Sequence, residues 1–245
     1  MKKGASRSKL LSLSFVYTLL IPSGVAIFFI RGWRFGIVKR MIKSDPSQAI
    51  SPNLNSLHDL GTFIRDGIRL FGAKALYDLP KLLILVAIGY DHIELIIDWI
   101  YFFLTKVPGM GDYQSLAETS MIKFSTTLLI QLIFFMIASF LITPAFKISM
   151  IKYANGNISY AGFFSIKEIK DSYRIYQRYK TRTLTAYIWD VFVTGLSTII
   201  GFILMILFPF IIWLAIPLYK LVFKHWPKAY AYGMLARRLA VNGEI

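Results

Sequence analysis

No cysteine occurs anywhere in the 245 residues. Disulfides, thiolate nucleophiles and cysteine-based metal sites are therefore excluded at the outset. Histidine is nearly as scarce. The three in the chain, His58, His92 and His225, stand far apart, so no His-Glu-x-x-His zinc motif exists. A nucleophile elbow and a phosphate-cradling glycine loop are also missing. Acidic residues are few: 13 Asp and Glu face 28 Lys and Arg, a net charge of +15. A balance of that sign suits nucleic acid or anionic lipid, and the rest of the composition decides for lipid.

What is abundant is hydrocarbon. Hydrophobic residues make up 56% of the chain and the mean hydropathy is +0.56. Soluble domains carry about 45–50% apolar residues. The excess lies in long uncharged runs, as in membrane proteins. The expected fold is all-α: a polytopic helical membrane protein with about five to six membrane segments, two pseudo-repeats and cytoplasmic amphipathic interfacial helices. It forms one integral domain over 1–245.

The first apolar run, 10–30, is read as an uncleaved membrane segment, since no small-residue cleavage site follows it. Pro22-Ser23-Gly24 at its middle allows either one straight span or a hairpin that dips in and returns. It runs directly into Arg31, Arg34, Lys39, Arg40 and Lys43, a helix end expected in the lipid interface with Trp33 as its anchor. A basic amphipathic helix is expected over 61–74. The long run at 75–104 is divided into a span to about Tyr90 and an interfacial remainder. Another span covers 121–144, and a second amphipathic helix covers 163–178. The run at 183–223, broken by Pro209 and Pro217, is long enough for two spans.

The order recurs. Met41-Ile42-Lys43 is matched by Met150-Ile151-Lys152, and Ala75-Leu76-Tyr77-Asp78 by Ala186-Tyr187-Ile188-Trp189-Asp190. Repeat one is placed at about 10–104 and repeat two at about 121–208. A partial third copy at about 209–238 restates Ile21-Pro22, Trp33 and Lys39-Arg40 as Ile216-Pro217, Trp226 and Arg237-Arg238. The positive loops 31–74 and 147–182 and the C-terminus are expected to be cytoplasmic, in a multi-pass protein of the cell membrane. The lysines and arginines near the N-terminus favour the same side, which the bent form of 10–30 would satisfy.

The stretch Gly-Trp-Arg-Phe-Gly-Ile-Val-Lys-Arg-Met-Ile-Lys resembles part of an uncharacterised domain-of-unknown-function family of archaeal and bacterial multi-pass membrane proteins with two internal repeats. So does the later Phe63-x-x-Asp66-Gly67 helix, followed by Tyr77-x-x-Pro80. The polar loop between them departs from the family in carrying Ser51-Pro52-Asn53-Leu54 where acidic residues are often seen. The resemblance implies architecture and carries over no activity.

Two constellations merit weighing. Asp78 and Asp190 are repeat equivalents near the cytoplasmic ends of their spans. They suit a polar transport path with Lys81, or, more simply, charges neutralised to fix helix packing. Lys74 and Lys81 lie within reach of Asp78, whereas Asp190 needs a partner from another segment. Asp91, Glu94 and Asp98 share a helical face beside His92 and suit a divalent cation or proton passage. An amphipathic segment at the outer interface explains them more simply. Arg31, Trp33, Arg34, Lys39, Arg40, Arg174, Arg178 and Trp226 are read as membrane-interface residues.

No catalytic residue and no cofactor is expected. The partners implied are anionic lipids at the cytoplasmic face and another membrane protein, with no nucleic acid. The function read from this is a non-enzymatic scaffold, accessory subunit or partner-binding module; the alternative is a transporter of small solutes or lipid with a polar path near Asp78 and Asp190.

Overall fold

The computed structural model describes residues 13–43, 57–91, 93, 113–207 and 219–245. Within these the chain is all-helical and contains no strand. After a helical stretch at 13–20 come α1 (Ala26–Lys43), α2 (Leu57–Asp91) and α3 (Tyr113–Asn155). A 3-10 turn (Tyr160–Phe164), α4 (Ile166–Arg178) and α5 (Lys180–Leu207) follow. A π-helical segment (Lys220–His225) leads directly into α6 (Trp226–Val241). Among the described residues, two helices are long and apolar enough to cross a membrane, over Leu128–Asn155 and Lys180–Leu204.

Pro22-Ser23-Gly24 breaks the first apolar run, with Gly24 at φ +70°, a conformation open to glycine at no steric cost. Leu13 and Tyr17, before the break, share one core cluster with Phe29, Ile30 and Trp33 after it. Pro80 and Pro144, in contrast, do not end their helices. Each proline removes one backbone hydrogen bond, but α2 and α3 continue through. The boundaries expected near 75 and 144 are therefore absent. The segment 147–182, expected as a loop, is helical over most of its length: α3 runs to Asn155 and α5 begins at Lys180.

The chain divides into two compact units, 1–75 with 144–245, and 76–143. In the first, α1 packs chiefly against α6, and α6 against α5. The contact of α1 with α2 is made through glycines. A Cβ on Gly32 would lie 1.7 Å from the Phe63 carbonyl oxygen, and one on Gly67 would lie 1.8 Å from the Phe28 carbonyl oxygen. Each helix thus rests on the other's main chain, the close approach that small residues permit. Phe63 lies beside Gly36, and Asp66 accepts a hydrogen bond from Lys39 Nζ at 2.8 Å. Phe63, Asp66 and Gly67 of the resemblance motif are thereby all used in one crossing.

Lys152 of α3 clamps α4, donating to Glu168 at 2.7 Å and Asp171 at 2.6 Å. Ser149 meets Ser172 at 2.8 Å in the same interface. In the second unit, Lys81 pairs with Asp78 one turn away and donates to Thr143 Oγ1 at 3.1 Å.

Candidate functional site: a buried cationic chamber

Along α5, Ala186, Asp190, Val193 and Ser197 recur at the helical period and share one face, which is largely buried. The opposite stripe, including Ile188, Phe192, Ile199 and Phe202, is exposed. The helix therefore turns its one carboxylate inward. Two lysines from other helices meet it: Lys228 of α6 at 2.5 Å and Lys147 of α3 at 3.7 Å. Lys228 also donates to Thr194 Oγ1, one turn beyond Asp190.

Tyr232 lies one turn after Lys228 and is 2% exposed. The Lys147 ammonium sits 4.1 Å from the centre of its ring, a cation–π arrangement. Its hydroxyl feels the Asp190 carboxylate, yet makes no hydrogen bond of ordinary geometry. Burial pushes the Tyr232 phenol well above its ordinary pKa, and Asp190 adds to the shift. Burial pushes the Lys228 ammonium down, and Asp190 opposes that. Burial likewise lowers Arg34, again opposed by Asp190, but a guanidinium remains a cation throughout the ordinary pH range.

These groups border a partly enclosed cavity of about 80 Å³. A single water needs about 10–15 Å³ on the same measure. Arg31, Arg34, Lys74, Lys147 and Lys228 line it, with Phe35, Phe146 and Tyr232 among the apolar walls and no acid in the lining. Arg34, Lys228 and Lys74 all lie within electrostatic range of Lys147. Arg34 forms no hydrogen bond or ion pair among the described residues.

The sequence-derived candidates are dispersed by the fold. Asp190 is central to the chamber, while Asp78 and Lys81 belong to the other unit. His92, Glu94 and Asp98 lie outside the described residues, and Asp91 enters only as the end of α2. No metal-binding group of His, Asp and Glu occurs among the described residues.

The interface set also divides. Trp33 is 1% exposed within the core cluster, not presented at a surface, because its helix is held against α2 on one side and α6 on the other. Arg34 lines the chamber, and Lys39 is engaged by Asp66. Arg31 lies over the Phe71 ring at 4.6 Å, and Arg40 is half-buried. Trp226 packs partly buried against the core. Arg174 and Arg178 are exposed, and Arg178 pairs with Glu244 at 2.5 Å.

Lys147, Lys228 and Tyr232 were not singled out by sequence reasoning. Lys147 and Lys228 register there only as part of the positive stretches. One signal was available: no Lys or Arg lies between Arg182 and Lys220, so Asp190 had to find its partners in other segments.

Comparison with family models, with curated proteins and with solved structures finds no match.

Proposed function

We propose that the chain is a multi-pass membrane protein acting as a non-enzymatic scaffold or partner-binding subunit, with its basic segments on the cytoplasmic side. One observation carries this reading. In each of the two long apolar helices only 11% of the most apolar window is buried within the protein. A core helix of a soluble protein would be mostly buried, so these faces call for lipid or another apolar helix. The five to six membrane segments, the repeats and the family resemblance belong to the same proposal.

Transport is the second reading, favoured by Asp190 beside a cavity. It is weakened because Asp78 and Asp190 both take lysine partners, as packing alone requires.

The test is extraction and companionship. The protein is expected to stay in the membrane pellet at alkaline pH and to bring a stoichiometric protein partner through mild detergent, identified by mass spectrometry. Release from the pellet would remove the membrane reading. Purification alone, with a small solute that then exchanges across vesicles, would put the transporter in its place.

A further inference from the structure

We propose that the chamber between α1, α2, α3 and α6 is a binding site for a phosphate group. Arg34, Lys147 and Lys228 bring three positive charges to it. Asp190 is the one carboxylate that meets them, through Lys228 at 2.5 Å and Lys147 at 3.7 Å. Across these three cations and Asp190 the excess is two positive charges, with Arg31 and Lys74 also in the lining. A phosphate monoester carries about −1.5 to −2 at pH 7 and offers three acceptor oxygens. Its charge closes the balance.

Space and geometry agree. The cavity, about 80 Å³, exceeds what one water needs and is partly enclosed. Burying like charges together is costly unless an opposite charge joins them. Asp190 makes its ion pairs with Lys228 and Lys147 and reaches Arg34 only through its longer-range field. The guanidinium is planar and forked, the shape suited to two phosphate oxygens at once. Tyr232 closes one wall with its ring, over which the Lys147 ammonium sits at 4.1 Å. The proposal is independent of the number of membrane spans. It concerns the group and leaves its carrier, a lipid headgroup or a free phosphate, to the experiment.

The full chain is placed in nanodiscs of phosphatidylcholine alone and titrated with inorganic phosphate by calorimetry. In parallel it is placed in phosphatidylcholine discs with a minor fraction of phosphatidic acid, and retained lipid is read by native mass spectrometry. Saturable phosphate binding indicates a soluble ligand; selective retention of phosphatidic acid indicates a headgroup. Either supports the site. In the arm that binds, Arg34→Gln is expected to weaken binding by about tenfold or more, the effect of one charge-assisted hydrogen bond. Asp190→Asn is expected to strengthen it, because the counter-charge is gone. A merely structural role would weaken both. If Arg34→Gln does not accumulate as a folded protein, Lys228→Gln carries the same expectation, as Asp190 keeps Lys147. Binding of neither probe by the folded wild type overturns the proposal. So does unchanged affinity in Arg34→Gln, or weaker binding in folded Asp190→Asn.

Discussion

His225 closes the π-helical segment with its ring edge-on to Tyr17, the centroids 6.4 Å apart. Its Nδ1 is buried and meets no hydrogen-bond partner. Burial, reinforced by Arg34 and the nearby lysines, presses its pKa down to about 2. The folded protein therefore holds the ring neutral, while the unfolded chain protonates it near pH 6.5. Below that pH the unfolded state binds one more proton, so stability is fully present above about pH 6.5 and is lost as pH falls. The loss approaches about 1.4 kcal/mol per pH unit at most, since the ring is not wholly enclosed. The melting temperature in mild detergent is expected to fall from pH 7.5 to pH 5.5, and the fall to shrink in His225→Gln. An equal fall in both proteins would assign it to other groups. None of this is visible in the sequence, where His225 stands beside Trp226 and three nearby cations, Lys220, Lys224 and Lys228, with no partner of its own. The same holds for Asp190. Its type and inward period are legible, but Lys147 and Lys228 reach it from other helices, and no local pattern joins residues so far apart.

At the scale of elements, the apolar runs and basic amphipathic stretches translate well into helices. The region 61–74 lies within α2, and 163–178 matches α4 with the turn before it. Ends were less legible. The span expected to end at Pro144 continues to Asn155, because helices tolerate a proline when neighbouring structure holds the chain on both sides of the lost bond. Gly32-x-x-x-Gly36 was present to be read as a close-packing face. It was taken instead as part of a surface helix, because Arg31, Arg34 and Lys39 surround it. Substitution separates these readings. Gly32→Ala and Gly67→Ala drive a methyl into a carbonyl oxygen, and overpacking of this kind costs about 1–3 kcal/mol or more. Gly61, also on α2, has nothing within 4 Å of its would-be Cβ. Gly61→Ala is expected to leave stability equal or raise it by about 0.5–1 kcal/mol. Thermal melts of the three variants decide the matter; similar effects at all three positions would dismiss the crossing as a special contact.

For the molecule as a whole, the charge distribution makes the boldest claim, that the basic segments share one side of a membrane. The absence of cysteine gives a clean background for testing it. Asn157 and Val241 are both exposed, in the turn after α3 and at the end of α6. Asn157→Cys and Val241→Cys are expected to react with an impermeant maleimide only when the cytoplasmic side is opened. Labelling of intact cells at either position would reverse that segment. The composition made the helical class and the apolar faces legible, since an apolar stripe is written directly in residue type. The chamber was not, because it exists only where four separate helices converge. The crossing of α1 and α2 has a further implication for how this fold could be traced across evolution. Gly32 and Gly67 each touch a carbonyl oxygen, an atom every amino acid supplies identically. A change at Phe63 or Phe28 neither relieves nor worsens that contact. Paired substitutions, the usual footprint of two residues in touch, should therefore be missing at the closest approach in the protein, and each glycine would be retained on its own account.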